Sequence, residues 1–190
     1  MHAEGAVRFI CALLLVAADT SPAGQSQINV CVDYGCDLEQ PIRISQDEWR
    51  TIGSLFDEAR SAADERTAVT IAVGRLEQIA GLQAGTQGDL PENSSNHGGP
   101  GQLDCIAESI NTSRYMQMLE QASLLRWHLV KERAKRRQYI FSTHWSAVLE
   151  RPDTGEAFAV DSWYGRNGDP ALVIPLEQWR RGARPDAGNR

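Results

Sequence analysis

Three residue types far apart in this chain suit one chemistry. Cys105 stands where a glycine-rich loop, Asn96-His97-Gly98-Gly99-Pro100-Gly101, gives way to a helical pattern. Unpaired N–H groups and the helix dipole at such a start favour an anion, which predicts a thiol with a depressed pKa. A thiol nucleophile needs a base, most often an imidazole. His97, His128 and His144 are the candidates.

Strand geometry selects His144. If Pro152-Asp153-Thr154-Gly155 closes a hairpin, Arg151 faces Glu156, Leu149 faces Phe158 and Ser146 faces Asp161. Side chains two apart share a face, so His144 lies on the side of Asp161 as its diagonal neighbour, ~7–8 Å away along the backbone. A carboxylate there can hold the ring in one tautomer while the other nitrogen addresses a thiol. A slip of one residue would separate them. His128 alternates next to Trp127 and reads as structural, and His97 as a solvated loop residue. Trp145, Trp163 and Tyr164 are candidates to line a cleft, with core packing as the alternative for the two tryptophans. Gln102 and the Cys105 backbone N–H are candidate oxyanion donors.

The elements that must position these residues follow from periodicity. Ser45-Gln46-Asp47-Glu48 is a capping box, and Trp49, Ile52, Leu55, Phe56 and Ala59 then predict a helix to about residue 63. Val69, Ala72, Val73, Leu76 and Ala80 predict a second, ending near Gly81. A third should begin at Asp104 or Cys105 and run to about Gln121, with Ile106, Ile110, Leu119 and Ala122 inward. Residues 24–44 read as an exposed start, a small cysteine loop and a short extended piece at Ile42-Arg43-Ile44. Trp127–Arg133, Gln138–Glu150, Ala157–Trp163 and Ala171–Pro175 are β-branched and aromatic between turn signals. Ala134-Lys135-Arg136-Arg137 reads as one hairpin connection. Lys131, Arg133, Lys135, Arg136 and Arg137 would then form a solvated tip, or a patch for an anionic polymer. Helices followed by antiparallel strands is an α+β pattern.

The 190 residues fit one domain, and a net charge of −6 argues against a general nucleic-acid binder. No apolar run reaches the ~18–20 residues that span a bilayer. The uncharged run of ten from Phe9 to Ala18, then Ser21-Pro22-Ala23, is the grammar of a secretory signal peptide over residues 1–23. Residues 24–180 would then form the domain and 181–190 a loose tail, and the protein would be exported, to a periplasm or outside the cell. Cleavage after Ala23 removes Cys11 and leaves Cys31, Cys36 and Cys105, an odd number. Export favours disulfides, and the Val32-Asp33-Tyr34-Gly35 spacer lets Cys31 pair with Cys36, leaving Cys105 free. Two other roles are open to Cys105: pairing with Cys31 or Cys36, or an inert core thiol. A zinc site finds no second close Cys/His pair, and nothing calls for a metal or cofactor.

Asp104-Cys105, His144-Trp145-Ser146-Ala147-Val148 and Ala159-Val160-Asp161-Ser162-Trp163 follow the order Cys on a helix start, His on a strand, Asp on the next. In this the chain resembles the transglutaminase-like branch of the papain-like thiol enzymes, across roughly the 60 residues from 104 to 163. It departs from them in the adjacency of Trp145 to His144, in Ser162 after Asp161 and in the closeness of Gln102 to Cys105. The resemblance implies a nucleophile-bearing helix packed on an antiparallel sheet. It also implies a cysteine peptidase or amidase working on a peptide or protein through Cys105, His144 and Asp161. The competing classes are a non-catalytic exported binding or structural domain and a papain-like cell-wall endopeptidase.

Overall fold

A computed structural model describes residues 26–94, 99–139 and 142–185. The expected signal segment 1–23, Cys11, His97 and the last five residues lie outside the described residues. In chain order the elements are β1 (Ser26–Cys31), β2 (Glu39–Ile44), α1 (Gln46–Ser54), α2 (Ala62–Ala84), α3 (Cys105–Gln121), β3 (Leu129–Tyr139), β4 (Ser142–Glu150), β5 (Ala157–Asp161), β6 (Leu172–Pro175) and α4 (Leu176–Arg180). β1 and β2 form an antiparallel pair, and β3-β4-β5-β6 form a four-stranded antiparallel sheet. Helices with antiparallel sheets make this an α+β fold. No helix among the described residues is long and apolar enough to cross a membrane.

Local chemistry sets the element ends. The capping box forms as expected: Ser45 Oγ accepts from the Glu48 N–H, and the Glu48 carboxylate accepts the Ser45 N–H at 2.7 Å. α1 stops at Ser54 instead of reaching residue 63, because a second cap competes. Ser61 accepts from the Asp64 N–H, and the Asp64 carboxylate accepts from the Arg60 N–H at 3.0 Å, so α2 starts seven residues earlier than the Val69 pattern suggests. α2 passes Gly81 and ends at Gly85, whose φ of +82° makes the left-handed cap. Residues 26–31 are not an exposed start but a strand, with Ile28 and Val30 packed on the core.

The run Ala134–Arg137 is not a turn. It lies inside β3, and Arg136 pairs with His144 across β4. Alternation explains this: Ala134 and Arg136 are buried while Lys135 and Arg137 are exposed, so only part of the basic cluster is a solvated face. By contrast the Pro152–Gly155 hairpin holds, with Leu149 opposite Phe158 and the Arg151 N–H donating to the Glu156 carbonyl at 2.9 Å.

The sheet is covered on both faces. Ala147, Leu149 and Val160 pack with Val69, Val73 and Leu76 of α2 and Tyr115, Met116 and Leu119 of α3. Ala134, Val148 and Ala159 face the other way, onto Trp179 of α4. α3 buries an unexpected stripe. Leu119 is inward, but Ile106 and Ile110 are half-buried and Ala122 is exposed, while Glu108, Asn111 and Thr112 are buried. These polar groups are inside because they have partners. The Asn111 amide accepts the Cys31 N–H at 2.7 Å and donates to the Cys31 carbonyl at 3.0 Å, as another strand would.

Candidate functional site

Cys105 is the first residue of α3, and Asp104 caps the helix by accepting the Ala107 N–H at 2.9 Å. The same carboxylate accepts the Gly35 N–H at 3.1 Å, which ties the cysteine loop to the helix start. Within that loop Cys31 and Cys36 are joined by a disulfide, and Cys105 is the free cysteine among the described residues. Gly35 takes a φ of +68°, a turn that suits glycine.

The Cys105 thiol is half-buried and donates to the Thr143 carbonyl at 3.8 Å, so the sulfur lies on the backbone just before His144. The expected lowering of its pKa is not found. Burial pushes the thiol up to about 11, the negative charges of Asp104 and Asp161 add to the rise, and the N–H groups of Trp145 and Cys105 offset only part of it. Removing a thiolate from water outweighs the helix start here.

His144 and Asp161 come together as the hairpin register requires. His144 Nε2 lies 2.7 Å from Asp161 Oδ2, and both side chains are buried. The other ring nitrogen, Nδ1, is buried and makes no hydrogen bond, so the thiol is not hydrogen-bonded to the imidazole. Strand alternation gives the reason: His144, Ser146 and Val148 share the α4 side of β4, whereas α3 packs against Ala147 and Leu149.

The ring sits in an aromatic cage, with Trp163, Tyr164 and Trp179 at centroid distances of 4.6, 5.5 and 5.6 Å. The Trp179 indole N–H donates to Asp161 Oδ2 at 2.7 Å, giving that carboxylate oxygen two partners. Arg136 braces the cage from behind. It stacks 4.6 Å from the Trp179 ring, donates to the carbonyls of Trp179 and Ala183, and donates to the Tyr164 hydroxyl at 2.5 Å. Burial, with the charge of Asp161 beside it, pushes that hydroxyl up to about 12. The segment 181–183, expected to be loose, therefore supplies part of the brace through Ala183.

The remaining candidates divide. Trp163 and Tyr164 are core residues, and the Trp163 indole N–H donates to the Asn93 carbonyl at 2.7 Å. Trp145 is half-exposed on the opposite face of β4, beneath Arg133. Gln102 is committed elsewhere: its Nε2 donates to the Gly88 carbonyl at 2.8 Å, and its oxygen accepts from the Leu90 N–H and the Asn93 amide. Of the two candidate oxyanion donors, the Cys105 backbone N–H at the start of α3 remains. His128 has structural partners, with Nδ1 2.8 Å from Glu65 Oε1 and Nε2 3.2 Å from Arg66.

Reading the sequence missed Trp179, Arg136 and a buried acidic layer under the site. The alternation of Ala134 and Arg136 with charged neighbours could have marked Arg136, and a tryptophan four residues after Pro175 could have marked a short covering helix. Glu108 Oε2 accepts a hydrogen bond from the Ser162 hydroxyl at 2.6 Å, and Ser162 meets Thr112 at 2.8 Å, joining the Cys105 helix to the residue after Asp161. Burial, then the charges of Glu77 and Asp89, hold the Glu108 carboxyl well above the usual carboxylate range.

No protein-family model, curated protein or solved structure matches the chain. The site must be read from its own geometry.

Proposed function

We propose that this protein is an exported thiol enzyme with a transglutaminase-like, papain-like core, acting on an amide or peptide bond of a peptide or protein. The observation that carries the reading is the buried imidazole, held by Asp161 on Nε2 and bare at Nδ1, one residue along β4 from the carbonyl that Cys105 touches. Asp161 fixes the tautomer that leaves Nδ1 as an acceptor. The thiol rests protonated, so the base acts as substrate binds. The sulfur and Nδ1, which rest on opposite sides of β4, must come within hydrogen-bond reach as substrate binds; Nδ1 then takes the thiol proton and sulfur attacks the carbonyl carbon. The Cys105 backbone N–H at the start of α3 receives the oxyanion. The imidazolium returns its proton to the leaving amine, and water or another amine releases the acyl group from sulfur.

One observation favours the second reading, a non-catalytic exported binding domain on this scaffold. The thiol is raised to about 11 and has no hydrogen bond to the imidazole. Incubation of the mature protein with a peptide amide library, followed by intact mass measurement, separates the two. The enzyme reading expects amide cleavage and an acyl adduct on Cys105 that is absent in Cys105→Ala. A folded protein with neither product, whose Cys105→Ala form keeps its full biological effect, is the binding domain.

A further inference from the structure

On the face of the sheet that α3 covers lies a groove of about 420 Å³, with Ile110, Arg114, Lys131, Glu132, Arg133 and Trp145 among its lining residues. It is joined to Cys105 through backbone. Arg133 donates to the carbonyl of Ile106, the residue after Cys105, at 3.3 Å and to Ser109 Oγ at 2.9 Å. The Trp145 N–H acts on the thiol itself.

The charge of this groove is unbalanced. Arg114 is paired with Glu39 at 2.7 Å and Lys131 with Glu150 at 3.3 Å. Arg133 and Lys135 stand 4.9 and 5.7 Å from the Trp145 ring centroid, and among the described residues neither has a carboxylate in ion-pair range. With Arg114 and Lys131 neutralised, Arg133 and the adjoining Lys135 stand against the single lining acid, Glu132, an excess of one positive charge around Trp145. Burial, and then the neighbouring charge of Arg114, pull the Arg133 guanidinium below its usual range, with Cys105 opposing the fall. This arises in a chain whose net charge is −6, so the local excess is not a reflection of composition.

We infer that this groove binds a carboxylate side chain of an acidic peptide and presents the neighbouring peptide bond to Cys105. The inference deepens the thiol-enzyme reading and rests on it for what happens at sulfur. A guanidinium fork matches a carboxylate, and the indole offers a flat surface for the aliphatic part of a glutamate. A groove of this size holds a side chain or two, not a folded domain.

The native full chain tests this without turnover. Iodoacetate and iodoacetamide attack the same thiolate, so the ratio of their rates cancels its ionisation and reports the local field. The ratio at Cys105 should exceed that of free cysteine by about threefold or more at low salt and fall toward it in 1 M NaCl. Lys135→Gln, an exposed change that keeps the fold, should lower it, and Arg133→Gln should lower it further. In calorimetric titration of Cys105→Ser, a glutamate-rich peptide should bind about tenfold tighter than its glutamine counterpart, and Lys135→Gln should remove most of that difference. A ratio equal to that of free cysteine, or equal binding of the two peptides, overturns the inference. So does binding of polygalacturonate with none of the glutamate peptide. Absence of amide cleavage with both signals present counts against the thiol-enzyme reading alone.

Discussion

His144 and Asp161 meet at 2.7 Å inside the protein, and the same carboxylate oxygen also receives the Trp179 indole N–H. An oxygen held by two donors is fixed in place and selects one imidazole tautomer. The nitrogen-15 spectrum of His144 should therefore show Nε2 protonated and Nδ1 bare. In Asp161→Asn the amide can present its NH₂ to the ring, and the tautomers should mix. Acyl transfer should then fall by about 10³–10⁴-fold with the fold retained. An unchanged tautomer would remove Asp161 from its positioning role.

The Cys105 thiol should titrate late. With its pKa raised to about 11 by burial and by the charges of Asp104 and Asp161, alkylation by iodoacetamide should climb tenfold per pH unit through pH 8–10 and level off only near 11. His144→Ala should leave this profile in place while lowering acyl transfer by about 10²–10⁴-fold, since the base acts on the bound complex. An inflection below pH 8 would mean that the thiol and imidazole are already an ion pair at rest.

Arg136 should matter more than any exposed arginine. Its guanidinium joins β3 to the end of α4 and to Tyr164 through four groups at once. Arg136→Gln should destabilise the protein by about 3–5 kcal/mol in urea unfolding, and Arg136→Lys should restore little, because an ammonium cannot stack on the Trp179 ring and reach the same partners. Exposed Arg50, paired with Asp47 at 2.9 Å, should change stability by no more than about 0.5 kcal/mol when replaced by Ala.

Two buried carboxyls should shape the pH dependence of stability in opposite directions. Burial alone would raise Glu65, but hydrogen bonds from His128, Arg126 and Trp127 hold it below the ordinary value. Its contribution is present above the unfolded carboxylate pKa, about 4.3, and is lost as pH falls through the lower folded value. Burial raises Glu77 to about 8, with a nearby Asp89 charge adding to the rise. Between about 4.3 and 8 the folded state holds a proton that the unfolded chain has released, so this contribution declines as pH rises. Urea midpoints should therefore fall from about pH 5 to pH 8, and Glu77→Gln should flatten that slope. A midpoint that rises over this range in the wild type would contradict the assignment.

Much of the frame was legible because it depends on neighbours in sequence. The Ser45–Glu48 box, the start of α3 at Cys105 and the hairpin at Pro152–Gly155 each follow from side chains reaching backbone a few residues away. The hairpin in turn set the register that brings Asp161 to His144. The errors arose where distant partners decide. Arg136 reads as solvated until Trp179, Tyr164 and Ala183 supply its hydrogen bonds, and the polar stripe of α3 reads as surface until Cys31 and Ser162 meet it.

By itself the sequence determined which residues could do chemistry: a thiol at a helix start, and an imidazole and a carboxylate placed together by strand pairing of short range. Tertiary structure alone decided their condition. Long-range packing encloses the imidazole in three aromatic rings and leaves Nδ1 bare, commits Gln102 to its own loop, and buries the thiol enough to keep its proton. The physical reason is that register and caps are local geometry, whereas desolvation depends on every element that shuts out water.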